Sequence, residues 1–229
     1  MSTWEFFVEI LPEIMRGFSV TLSLTGLALL IGFGFGIMLA LGRAFGNWLV
    51  RGLCIGYIEA IRGTPMLVQV FIIYFAIPGA WPPAYWAAVL GFSINSSAYQ
   101  AEYFRGAFQS IESGQMIAGR TMGMTKLQTI KNIILPQGLR MAIPAWSNEV
   151  IYLLKYTSLA YIILVPELTR VGRLIATETA RYMEVFIIIA VVYLVATIVI
   201  TDIIDRFEKK VRIPGLGAQE AETSQRNVW

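Results

Sequence analysis

The run GFSVTLSLTGLALLIGFGFGIMLALG, residues 17–42, carries no charge between Arg16 and Arg43. Its 26 residues exceed the roughly 20 that a helix needs to cross the hydrocarbon core of a bilayer. Two more neutral stretches follow, 39 residues between Arg62 and Glu102 and 17 between Glu184 and Asp202. The chain of 229 residues is 56% hydrophobic and 14% charged. A soluble domain carries about a quarter charged residues, and the mean hydropathy here is +0.63. These features predict an all-α membrane protein with several spans.

The 39-residue stretch is too long for one helix, and Pro78-Gly79-Ala80-Trp81-Pro82-Pro83 divides it. About five spans result: residues 17–41, a second that begins before Pro65 and ends near 77, then 84–103, 141–165 and 185–204. Glu149 and Lys155 interrupt the fourth. The membrane domain is thus expected over 17–205. Residues 1–16 read as a retained outer segment, a short interfacial helix weakened by Pro12. Residues 206–229 read as a cytoplasmic tail, disordered after Pro214-Gly215. With the N-terminus outside and the C-terminus inside, thirteen lysines and arginines fall on the inner side and four on the outer, with Lys155 inside a span. The opposite orientation inverts that ratio, so N-out, C-in is expected.

Absences exclude several functions. No histidine is present, and Cys54 is the single cysteine, so histidine-based catalysis, histidine-ligated metals and an internal disulfide are ruled out. No phosphate-cradling Gly-Lys-Ser/Thr loop occurs, so any linked ATP hydrolysis belongs to another subunit. The net charge of +3 is a topology signal, since no basic patch interleaved with aromatics suggests nucleic acid. Gly32/Gly36, Gly42/Gly46 and Gly52/Gly56 have close-packing spacing. Cys54 reads as a small apolar filler, and Glu59 with Arg62 as an ion pair one turn apart.

The inner loop, about 106–140, predicts a helix–turn–helix. A first helix over 113–122 ends at Gly123, a left-handed cap. Thr125-x-x-Gln128 is a capping box for a second helix, which Pro136 stops. Permeases of binding-protein-dependent ABC importers carry Glu-Ala-Ala, three residues, Gly, nine residues, then Ile-x-Leu-Pro. Here Ile117-Ala118-Gly119, Gly123 and Ile133-x-Leu135-Pro136 stand at that spacing, with Ile117 and Gly119 as departures. Arg62-Gly63-Thr64-Pro65 with Gln69, the stretch from Ala98 to Gly106, Gly114-Gln115, Leu135-Pro136-Gln137 and the stretch from Leu154 to Leu159 resemble the polar amino acid branch of that family, in order. Tyr156 stands where that branch more usually has a small polar or acidic residue.

The resemblance implies the type I importer permease fold and alternating access for a polar amino acid across the cell membrane. It implies a partner pair of cytoplasmic ATP-binding subunits, which would hold ATP and Mg, a second permease copy or a homologue of it, and an extracytoplasmic amino acid binding protein. It also implies that Gly114, Gln115, Ile117, Ala118, Gly119, Arg120, Gly123 and Pro136 form the coupling loop beneath the membrane. No cofactor, metal or catalytic residue is expected in this chain.

Polar residues inside spans need a cavity, a partner or a role. Asn148, Tyr152 and Lys155 share one face of the fourth span, with Glu149 beside it. Asn95, Tyr99 and Glu102 repeat that spacing in the third. Together with Thr64, Gln69, Ser96, Thr157 and Ser158 they are candidates for a substrate pathway, in which Lys155 would hold a carboxylate. The competing reading is interhelical hydrogen bonding. Ser147-Asn148-Glu149-Val150 resembles permeases for basic amino acids, and an acidic group in a low-dielectric pathway attracts a cation. The rival function is a stand-alone secondary transporter or channel, which usually shows internal repeats; none is visible here. An intramembrane enzyme lacks the residues for its chemistry.

Overall fold

The computed structural model describes residues 3–76, 82–111 and 113–211, and among these no strand occurs. Residues 1–2, residues 77–81 (with most of the expected divider, 78–83), Glu112 and the tail beyond Val211 lie outside the described residues. The helices are α1 (Thr3–Phe45), α2 (Trp48–Arg62), α3 (Met66–Phe75), α4 (Ala84–Ser110), α5 (Ser113–Thr121), α6 (Lys126–Thr129), α7 (Leu135–Tyr156), α8 (Leu168–Thr179) and α9 (Tyr182–Val211). A π turn, Ile130–Ile134, joins α6 to α7, and a 3₁₀ segment, Thr157–Ile163, follows α7.

Two helices, α1 and α9, are each long and apolar enough to cross a membrane. Two bent pairs meet the same test together: α2 with α3, at 99°, and the α6–3₁₀ run with α8, at 52°. The second span is therefore broken and not straight, because Gly63, Thr64 and Pro65 interrupt it. The central helix is α4. It buries Ala87, Ala88, Val89 and Phe92 against α1, α3 and α7, and it also buries Ser93, Asn95, Ser96, Ser97 and Gln100. Its polar interior is shielded by the helices around it. The outer face of α9 is the reverse, with Ile187, Val191, Leu194, Val195 and Ile198 all exposed, as suits contact with lipid tails.

Three expectations about breaks need correction. Residues 3–16 are not a separate interfacial helix, since α1 runs through Pro12 for 43 residues. At about 1.5 Å per residue that is about 65 Å, well beyond a bilayer. Phe6, Ile10 and Ile14, spaced at i, i+4 and i+8, pack on Leu168, Ile175, Val185 and Ile189 of α8 and α9. Burial of about 1.5–3 kcal/mol for each large apolar side chain offsets a proline cost of about 3 kcal/mol. Second, Pro136 does not stop its helix. The π turn, in which Leu135 N–H bonds to Ile130 O, widens the coil where an α turn would drive the ring into the carbonyl four residues back. Third, the fourth span does not stand alone: its helical run, Lys126–Ile163, starts before the expected 141 and is followed, after a 52° bend, by α8. Leu164 adopts φ +68° and ends the 3₁₀ segment, and the sequence reading did not foresee α8. The Glu167 carboxylate caps α8 by accepting bonds from Thr169 N and Arg170 N at 2.9 and 2.7 Å.

Close approaches by glycine hold the bundle. A Cβ on Gly36 would stand 2.9 Å from Gln100 Cβ, and one on Gly42 would stand 2.6 Å from Cys54 Sγ. Gly52 and Gly56, in contrast, meet nothing within 4 Å among the described residues, so no packing supports that pair. The tightest contact with a ring is at Gly138 of α7, where a Cβ would lie 2.3 Å from Phe108 Cδ1 of α4. Gly138→Ala should therefore cost about 1–3 kcal/mol as overpacking. Thermal unfolding of the purified protein in detergent reads this, and an unchanged midpoint would contradict so close a crossing.

Candidate functional site

The break between α2 and α3 shapes the site. Thr64 Oγ1 donates to Ala60 O at 2.9 Å, and the α2 end is tied by Gln69, seven residues beyond Arg62. Gln69 Nε2 lies 2.7 Å from Ile61 O, 3.1 Å from Thr64 O and 2.8 Å from Thr64 Oγ1. The remaining Gln69 oxygen accepts from Asn95 Nδ2 at 3.0 Å. A chain of side-chain amides thus holds the broken helix against α4.

The break opens on a cavity of about 510 Å³, within the roughly 300–1,000 Å³ of small-molecule pockets. Its walls include Arg62, Thr64, Asn95, Tyr99, Tyr103, Glu149, Tyr152 and Tyr156. The structure thereby brings together five of the sequence-predicted residues: Thr64, Asn95, Tyr99, Glu149 and Tyr152. Gln69 and Ser96 stand behind them, bonded to Asn95 and Glu149 respectively. Glu149 is 6% exposed and accepts a bond from Ser96 Oγ at 2.7 Å.

Four predicted residues are placed elsewhere. Asn148 is exposed and outside the wall. Thr157 and Ser158 turn their hydroxyls onto Leu154 O and Lys155 O. Lys155 is exposed, with Nζ 5.2 Å from the centre of the Tyr152 ring, so it touches a wall residue without lining the wall itself. The cation of the wall is Arg62, whose guanidinium lies 5.3 Å from the Tyr99 ring centre. Arg62 does not pair with Glu59 as expected. It reaches Glu102 at 3.9 Å, while Glu59 lies 3.8 Å from Arg43. Tyr103 and Tyr156 were not singled out from the sequence as wall residues. Tyr103 follows Tyr99 by one turn, which was the available signal.

The second feature is the turn between α5 and α6. Gly123 has φ +84°, and Thr125 and Gln128 make both bonds of a capping box. Gly114, Gln115, Ala118 and Arg120 are exposed. Arg120 closes the turn by donating to Met124 O at 3.1 Å. Ile117, Met122 and Leu127 present apolar side chains that are 64, 70 and 74% exposed. Gly119 is buried because α5 touches α6 there, and a Cβ would lie 2.6 Å from Thr129 Cγ2. Lys126 Nζ ties the turn to the end of α1 through Phe45 O at 2.6 Å. Pro136 opens α7 and is exposed.

Residues 32–213 match the family described as the inner membrane component of binding-protein-dependent transport systems. The chain belongs to that family. A glutamine transport system permease from Escherichia coli (strain K12) is 38% identical over 92% of this chain and 98% of its own length. A probable amino-acid permease of Bacillus subtilis (strain 168) is also 38% identical, over 92% of this chain and 96% of its own. A nopaline transport system permease of Agrobacterium fabrum is 33% identical over 96% and 98%. Among solved structures, an amino acid ABC transporter crystallised with histidines aligns at a TM-score of 0.82 and 36% identity, covering 92% of this chain and 99% of that one. An inward-facing methionine ABC transporter aligns at 0.74 and 20% identity, which speaks to the fold alone. Membership confirms the type I importer permease fold and a multi-pass membrane transporter.

Proposed function

We propose that this chain is the membrane permease subunit of an ATP-driven importer for a polar amino acid, with a cationic side chain preferred. Two copies, or one copy and a homologous chain, form the pathway in the cell membrane. Two ATP-binding subunits dock on the α5–α6 turn from the cytoplasm, and an extracytoplasmic binding protein delivers substrate. The excess of basic residues on one side supports N-out, C-in. The chemistry is positional: nucleotide-driven closure moves the turn, and the helices alternate the side on which the pocket opens. ATP hydrolysis belongs to the partner subunits.

One observation carries the substrate class. Glu149 is a buried carboxylate in the pocket wall, and among the described residues no lysine or arginine pairs with it. A carboxylate in such a place attracts a cationic ligand group. Arg62 in the wall, and Lys155 beyond Tyr152, are the cations within the same region for the carboxylate that an amino acid carries. The names of the relatives, glutamine and nopaline permeases among them, support the amino acid class. The test is uptake by the whole complex in proteoliposomes with arginine, histidine, glutamine and glutamate in competition. Arginine or histidine should compete best, and Glu149→Gln should narrow that advantage. Strongest competition by glutamate would overturn the substrate assignment.

A further inference from the structure

Glu149 is the end of a chain of hydrogen bonds that leads away from the pocket. Ser96 Oγ donates to Glu149 Oε1 at 2.7 Å, Gln100 Nε2 donates to Ser96 Oγ at 2.9 Å, and Trp146 Nε1 donates to Gln100 Oε1 at 2.7 Å. Ser96 and Gln100 are both fully buried, so no solvent stands in for a missing partner. Neither Gln100 nor Trp146 reaches the pocket wall.

We propose that Trp146 and Gln100 are positioning residues that set the direction of this chain, so that the Ser96 proton points at Glu149 and keeps it the group that selects a cationic substrate. The proposal rests on the pocket reading above. Its logic is one of donors and acceptors. An indole N–H can only donate. It therefore claims the oxygen of the Gln100 amide, which leaves the amide NH₂ facing Ser96. A serine hydroxyl has one proton, and having accepted from Gln100 it spends that proton on Glu149. The flipped amide would set NH₂ against N–H, two donors with nothing to accept. A hydrogen bond donated to a carboxylate favours its charged form.

The surroundings hold these side chains in place. The Trp146 ring meets Phe33 of α1 edge-on, with centroids 6.0 Å apart and planes at 80°. Gly32 lets α1 close on the chain, since a Cβ there would stand 2.8 Å from Gln100 Nε2 and 3.3 Å from Ser96 Oγ. Replacing Trp146 by phenylalanine keeps an aromatic ring against Phe33 and removes the directing donor together with part of the indole's volume. Gln100 can then flip, giving up only the long 3.4 Å bond from Nε2 to Leu29 O; in the flipped state the Ser96 proton turns to the amide oxygen and Glu149 loses its hydrogen bond.

The experiment measures equilibrium binding of arginine and of citrulline, its neutral analogue of similar length, to the permease–ATPase complex in nanodiscs. The binding protein is left out, so that the pocket alone is read. Wild type should favour arginine. Trp146→Phe should lower the arginine-to-citrulline affinity ratio by about tenfold, the worth of one charge-assisted hydrogen bond, with citrulline affinity little changed. Adding Gln100→Met to Trp146→Phe removes the competing amide oxygen and should restore the preference. Ser96→Ala, which removes the bond itself, should lower the preference as Trp146→Phe does, and it decides the matter if the tryptophan variant does not assemble. Glu149→Gln serves as the reference and should erase the preference. If Glu149→Gln erases it while Trp146→Phe or Ser96→Ala keeps it, the directing chain is refuted and the pocket reading stands. Equal losses for both ligands in Trp146→Phe and Ser96→Ala mean a packing role only, and also refute it. No arginine preference in wild type, or none lost in Glu149→Gln, overturns the pocket reading and the chain with it.

Discussion

Gly123→Val is expected to leave the permease folded and to uncouple it from its ATPase partners. The position is exposed and a Cβ would meet nothing within 4 Å, so space does not forbid a side chain. The backbone does. At φ +84° a β-branched residue is strained. A left-handed conformation costs an ordinary L-residue about 1–2 kcal/mol, and a β-branched one more. A strain of that size lowers the population of the native turn by about 5- to 30-fold. The turn is fixed on its α6 side, by the capping box of Thr125 and Gln128 and by the bond from Lys126 to Phe45 O, and is bridged by the bond from Arg120 to Met124 O. Strain at Gly123 therefore displaces the exposed Ile117, Met122 and Leu127 rather than being absorbed by a loose loop. Substrate-stimulated ATPase activity of the assembled complex should fall by a similar factor, with the thermal midpoint of the permease alone unchanged. Gly123→Ala should show a smaller loss of the same kind. Unchanged stimulation in the valine variant would sink the assignment of this turn as the contact for the ATP-binding subunits.

Local signals in the sequence were legible where one helix or one turn decides the outcome. The neutral run 17–42 lies inside α1, α4 begins at Ala84 where the third span was expected, and the Gly123 cap and the Thr125 box both form. Proline was misread twice for a common reason. Pro12 and Pro136 are breakers in isolation, yet burial along Phe6, Ile10 and Ile14 carries one helix through, and a π turn makes room for the other. The α8 helix escaped notice because it is amphipathic and holds Arg170 and Arg173, so it resembles an outer loop. At the pocket, helical spacing correctly grouped Asn95 with Tyr99. It put Lys155 with them because spacing names a face of a helix without naming what that face meets. In the fold, α7 turns Glu149 to the wall and leaves Lys155 exposed. Partners far apart in sequence, such as Trp146 with Gln100 or Arg43 with Glu102, leave no periodic trace at all.

That last pair belongs to a charge cluster whose removal should have the second large effect. Glu102 of α4, with its side chain 15% exposed, faces three arginines from three helices. Arg43 of α1 bonds it through Nη1, Arg105 reaches it at 2.9 Å from Nη2 and 3.1 Å from Nε, and Arg62 of α2 stands at 3.9 Å. Glu59, the other carboxylate near Arg43, has a side chain 62% exposed and lies 3.8 Å away, too open to compensate. Glu102→Gln keeps the shape and leaves three like charges together. Breaking a buried pair by removing one partner costs about 3–5 kcal/mol, and the partial exposure of the arginines argues for the lower end. The thermal midpoint should drop accordingly. The same change should slow uptake of a cationic amino acid, because Arg62 loses the carboxylate that holds it over Tyr99 and becomes an unpaired cation in the pocket wall. The two effects are separable. Adding Arg43→Gln to Glu102→Gln removes one of the repelling charges and should recover stability without recovering uptake. Adding Arg62→Gln instead should also recover stability, but uptake stays low because the pocket then lacks its guanidinium for the substrate carboxylate. A Glu102→Gln protein with wild-type midpoint and wild-type uptake would show that the cluster is a screened surface arrangement, and that α1, α2 and α4 are held together by their apolar contacts alone.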